Sequence, residues 1–80
     1  MKKQSGLFKI KALERLNNSY YGNPAFRIIA ENEHGEEVTG RTASNAAIGY
    51  ALGYTFEGRT ISISYHYTRG GSLIFDYLKD

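Results

Sequence analysis

Cysteine is absent from these 80 residues, which excludes a disulfide framework and a thiolate metal site together. Long apolar runs are absent too. Nothing approaches the roughly 18 residues of a membrane span, so no membrane partner is expected. Met1-Lys2-Lys3 opens like the basic region of a signal peptide, yet no apolar run of about 7–15 residues follows it. A cytoplasmic location is the reading these absences leave. Histidine occurs only at His34 and His66, without metal-ligand spacing. There is neither a Walker A motif nor a G-x-G-x-x-G following a strand. No cofactor is expected, and the chain is read as non-enzymatic. Proline is nearly absent: Pro24 is the single one, and it fixes where a strand can begin.

Charge of either sign is modest: ten Lys and Arg against eight Asp and Glu, a net charge of +2. Its distribution is more telling than its sum. Glu31, Glu33, Glu36 and Glu37 crowd one short stretch, while Lys2, Lys3, Lys9, Lys11 and Arg15 gather near the start. The molecule should carry an acidic tip on a basic body. Seven tyrosines and four phenylalanines are many for this length, and the first expectation is that they fill a small core.

The clearest local pattern lies at residues 59–78. Ile61, Ile63, Tyr65 and Tyr67 alternate with Thr60, Ser62, Ser64 and His66, the period of a strand with one buried face. A turn-rich Thr68-Arg69-Gly70-Gly71 follows, and Leu73, Phe75 and Tyr77 alternate back, which predicts a β-hairpin. Upstream, residues 1–6 read as a polar, flexible terminus, and residues 7–80 as one domain. Residues 7–16 are read as a strand over a helix, with a bulge or bend near 12–14 that shifts the inward parity by one. Residues 17–24 are loop, 25–31 a second strand, 32–35 a turn and 36–42 a third strand. Gly40 inside that third strand marks a bend or a close approach. Residues 44–52 are predicted as a helix capped by Ser44 and ended by Gly53. Gly49 within it costs about 1 kcal/mol relative to alanine, so packing must hold that helix. Gly-Arg-Thr recurs at 40–42 and 58–60, too short to be a repeat.

The order β-β-β-α-β-β gives an α+β class with two architectures open. One is a five-stranded antiparallel sheet with the helix across one face, as in β-grasp-like folds. The other is a small OB-like barrel.

Arg15-Leu16-Asn17-Asn18-Ser19-Tyr20-Tyr21-Gly22-Asn23-Pro24-Ala25-Phe26 resembles a pattern in small accessory proteins of bacteriophages and other mobile elements, R-L-x-x-S-x-x-G-N-P-x-aromatic, with a short helix after a threonine (here Thr42). The resemblance implies a phage or mobile-element setting in a bacterial cell, in which such proteins bind nucleic acid or inhibit a host defence enzyme. It assigns no residue a role.

From the residues themselves, Lys9, Lys11, Arg27 and Arg41 fall on the outward parity of the first three strands, with Tyr20 and Tyr21 in the adjoining loop. Cations that track phosphates and rings that stack on bases are what single-stranded nucleic acid requires. The plain alternative is a solvated face whose arginines pair with Glu14, Glu31 or Glu37. A second reading makes the tip residues Glu33, Glu36 and Glu37, with exposed tyrosines, a protein-binding surface. That surface would engage a basic groove of a host nucleic-acid enzyme, in the manner of an anti-CRISPR or anti-restriction factor. A third is self-assembly through an unpaired edge at residues 73–78. Ser62, Ser64 and His66 stand in series with no orienting carboxylate in view. Asp76 is expected to flank an edge or to pair with a basic residue such as Arg59.

Overall fold

The computed structural model describes residues 3–44, 48–53 and 56–79. Its elements are β1 (Gln4–Leu16), β2 (Ala25–Glu31), β3 (Glu37–Thr42), α1 (Ile48–Ala51), β4 (Thr60–Tyr67) and β5 (Leu73–Leu78). The sheet closes into a barrel in the order β1-β2-β3-β5-β4, an arrangement compatible with a small OB-like barrel and not with an open sheet. Four of the joints are antiparallel. The fifth is parallel and only three pairs long: Gly40 opposite Leu73, Arg41 opposite Ile74, Thr42 opposite Phe75. A wholly antiparallel sheet is therefore corrected, for a simple reason. A closed ring with an odd number of strands cannot alternate direction all the way round.

Closure covers the first half of the free edge expected at 73–78, since β5 pairs with β4 along its length and with β3 through Leu73–Phe75. Residues 4–6, expected to belong to a flexible terminus, instead extend β1 by pairing with Tyr65, Ser64 and Ile63. β1 is long because it serves two neighbours, β4 through Gln4–Lys9 and β2 through Lys9–Leu16. The bulge lies at Lys11, between Ile10 and Ala12, earlier than the 12–14 expected. The cause is Ile10, whose backbone exchanges hydrogen bonds with Arg59 O and Gly58 N where the strand passes from one neighbour to the other. Inward parity shifts as expected: Phe8 and Ile10 are buried before the bulge, Leu13 after it. Of the helix predicted over 44–52, Ile48–Ala51 is helical; residues 45–47 lie outside the described residues.

The core is Phe8, Ile10, Leu13, Phe26, Ile28, Ala30, Ile63, Leu73 and Phe75 from the strands, with Ile48 and Leu52 closing one end. Phe8 meets both Phe75 and Tyr65 edge to face, ring centres 5.2 Å apart in each case. Gly40 lies where β3 meets β5, and a Cβ there would stand 2.7 Å from both Leu73 O and the Phe75 ring. The glycine read as a close approach is one. The tyrosines depart from expectation: Tyr20, Tyr21, Tyr50, Tyr67 and Tyr77 are exposed, while Tyr65 packs against the core.

Past the bulge, the amide of Leu13 donates to Glu57 Oε2 at 2.9 Å. Removing that acceptor strands a part-buried donor, at a cost of about 1–3 kcal/mol. Glu57→Ala should therefore lower the urea midpoint, and Glu57→Gln, which keeps a carbonyl acceptor, should recover most of the loss. A Glu57→Ala midpoint equal to that of the parent would show that the bond contributes nothing.

Candidate functional site

One row of side chains runs across the outside of the barrel. Glu14 stands opposite Arg27, Arg27 opposite Arg41, Arg41 opposite Ile74, and Ile74 opposite His66. Strand alternation turns Arg27 and Arg41 outward because Phe26, Ile28, Gly40 and Thr42 face inward or sit in the joint. Two arginines directly opposite each other repel. Glu14 relieves one of them, accepting from Arg27 Nη1 at 2.6 Å. Arg41 has no ion pair among the described residues.

Arg41 stands between two clefts. One, of about 690 Å³, reaches from Arg41 and His66 to the β1–β2 loop (residues 17–24) and includes Ser19, Tyr20 and Tyr21. The other, of about 400 Å³, runs past Arg27, Gly40 and Tyr67 to Ser72 in the β4–β5 loop (residues 68–72). The face is thus bounded by a loop at either side, with an exposed tyrosine at each: Tyr20 and Tyr21 on one, Tyr67 on the other. Alternation puts Tyr67 on the inward parity of its strand. It lies at the barrel mouth, about half exposed, where the inward side opens to solvent.

The β1–β2 loop is held firmly for its length. Arg15 donates to Leu16 O, Ala25 O and Asn18 Oδ1. Ser19 Oγ and Asn23 Nδ2 both donate to Ser44 O, at 2.8 and 3.0 Å. Gly22 N donates back to Ser19 O. On this frame Tyr20 is 94% exposed and packs edge to face on Tyr21. Its ring is held out in water by an ordered backbone, so little freedom is lost if something stacks on it.

The other expected cations are elsewhere. Lys11, lifted by the bulge, pairs with Glu37 at 3.5 Å. Lys9 stands opposite Glu31 and lines a separate cleft with Asn32 and Glu33. Both face the acidic end of the barrel, so the four-cation face expected from alternation alone reduces to Arg27 and Arg41. The carboxylates of the tip are occupied within the molecule. Glu33 Oε2 accepts from Leu7 N at 3.4 Å, Glu36 Oε1 from Asn32 Nδ2 at 3.1 Å, and Glu37 holds Lys11. Asn32 Oδ1 ties the turn by accepting from His34 N and Glu36 N.

Sequence reasoning missed one pair. His66 Nδ1 lies 2.8 Å from Asp76 Oδ2. Asp76 is buried, 4% exposed, and an ionised carboxylate only accepts, so Nδ1 carries the proton. The orienting carboxylate judged absent is present. It reaches His66 because the β4–β5 register slips between Ser64 and Tyr65, which puts Asp76 beside Phe75 on the buried side. Arg59, the partner expected for Asp76, lies over the Phe56 ring at 5.3 Å.

Among the described residues no group of three or more His, Cys, Asp or Glu is placed to hold a metal ion, and no helix is long and apolar enough to cross a membrane. Set against protein-family models, curated proteins and solved structures, the chain matches none of them.

Proposed function

We propose that this chain is a small non-enzymatic binding module that takes single-stranded nucleic acid across β2 and β3, between the β1–β2 and β4–β5 loops, in the setting of a phage or other mobile element that its β1–β2 segment resembles. In OB-like barrels that face and those loops are where oligonucleotides bind. The observation that carries the reading is the bare Arg41, opposed to a second arginine and set between exposed tyrosines. A phosphate bound there would relieve the repulsion between the arginines, and a base laid on Tyr20 or Tyr21 would gain about 1–3 kcal/mol.

The alternative, inhibition of a host defence enzyme through Glu33, Glu36 and Glu37, is less well supported. Each of those carboxylates already has an intramolecular partner, which a protein surface would have to displace.

The test is fluorescence anisotropy of a labelled 20-nucleotide single strand across a salt series. The double variant Arg27→Ala/Arg41→Ala should flatten the slope of log affinity against log salt by about 1.4, since each phosphate contact on a single strand contributes about 0.7. Tyr20→Ala/Tyr21→Ala should weaken binding while leaving that slope in place. Absence of binding at low salt, or binding indifferent to salt, would overturn the reading.

A further inference from the structure

Resting on the nucleic-acid reading, we infer that His66 is a third phosphate-contacting group of this face, which engages as a cation and is positioned for that role by Asp76. His66 lines the same cleft as Arg41, Tyr20 and Tyr21. It lies in the same transverse row as Arg41, with Ile74 between them. Neighbouring strands are about 4.8 Å apart, so the two backbones are separated by about 10 Å, a span that the long arginine side chain narrows.

The ring is fixed by an interaction the barrel itself builds. The buried Asp76 carboxylate accepts a hydrogen bond from Nδ1–H, which leaves Nε2 as the atom free to meet a ligand. Nε2 has no protein partner among the described residues, and no buried polar atom there lacks one, so Nε2 reaches solvent.

This geometry gives the contact two states. With the imidazole neutral, Nδ1 keeps the proton and Nε2 offers a lone pair, which repels a phosphate oxygen. With the ring protonated, Nε2 becomes an N–H donor and the same atom attracts that oxygen. Histidine changes charge between about pH 5 and 8. Asp76 on β5 bonds the ring, and the other charged or titratable groups lining its cleft are Arg41 on β3 and Tyr20 and Tyr21 in the β1–β2 loop. On the β1 side Lys3, which precedes the Gln4–Tyr65 pair, sends its ammonium to the Tyr77 ring, 5.9 Å from its centre. Among the described residues, His66 is the one histidine that lines this cleft.

The experiment repeats the salt series at pH 5.5 and pH 8 with the intact chain and with His66→Gln, Asp76→Asn and His34→Gln. The intact chain should bind more tightly at pH 5.5, with a log–log slope steeper by about 0.7, one further phosphate contact on a single strand. His66→Gln should show one slope at both pH values. His34→Gln, altered at the acidic tip, should retain the pH effect. Asp76→Asn should reduce the pH effect while melting as a folded protein; if it proves unfolded, His66→Gln alone decides. A pH-independent slope in the intact chain, with binding otherwise present, would overturn the role of His66 and leave the binding face standing. A pH effect that persists in His66→Gln would overturn it as well. No binding at either pH would overturn the nucleic-acid reading itself.

Discussion

Replacing Phe75 by alanine is expected to cost this barrel a large share of its stability. Its side chain is wholly buried and packs edge to face on Phe8. It also fills the space that Gly40 leaves open where β3 meets β5. Its strand position belongs to both joints of β5, opposite Thr42 on one side and Tyr65 on the other. Its carbonyl accepts from Ala43 N at 2.8 Å, the bond by which the chain leaves β3 for the helix. Deleting a buried phenylalanine costs about 3–5 kcal/mol, and a chain of this length has about 4–12 kcal/mol in all. Urea unfolding followed by far-ultraviolet circular dichroism should show a much lower midpoint for Phe75→Ala than for the parent. A loss below about 2 kcal/mol would mean that the core collapses around the cavity and that Phe75 is not central to it.

The second large effect is expected at Gly49. A Cβ built there would overlap the carbonyl oxygen of Pro24 and lie 2.7 Å from its carbonyl carbon. These are backbone atoms, so the helix or the loop must move. Alanine normally gains about 1 kcal/mol over glycine inside a helix; here forced overpacking of about 1–3 kcal/mol or more outweighs it. Pro24 ends the β1–β2 loop, so displacement is transmitted to the frame that presents Tyr20 and Tyr21. Gly49→Ala should lower the melting temperature and weaken single-strand binding together, with the salt slope unchanged because the arginines stay in place. A variant more stable than the parent would show that α1 does not press on Pro24.

Those two positions also mark how far the sequence can be read. Gly49 was legible as a helix residue that only tertiary packing could explain, and Gly40 as a close approach; which backbone each meets was not. β2, β4 and β5 were readable from alternation alone, and so was the parity shift in β1. The bulge came earlier than expected because its position depends on Ile10 bonding to Arg59 and Gly58, a contact between distant segments. The parallel joint was implied by five strands and closure together, and closure was the open point. Alternation placed Lys9 and Lys11 outward correctly, but outward on a barrel is not one direction. The bend at the bulge turns them toward the acidic turn. The His66–Asp76 pair depends on a register slip that no local pattern announces, and without the slip Asp76 would face solvent with Ile74 and Leu78. Tyrosine tolerates both burial and water, so composition alone could not separate the surface rings from the core.

The parallel joint has a consequence in time as well as in space. It is the shortest seam of the ring and the one that brings the middle of the chain to its end. Parallel pairing is also slightly weaker per residue. Opening of the barrel should therefore begin there, like a clasp, while the β1–β2 and β4–β5 hairpins stay intact. Arg41 is the central residue of that clasp, and a phosphate chain lying from β2 across Arg41 to the β4–β5 loop would bridge its two halves. Amide exchange at Arg41, Thr42 and Ile74 should then slow when a strand is bound, by more than at the barrel's other joints. Occupancy of the face would be recorded as a change in how often the ring opens.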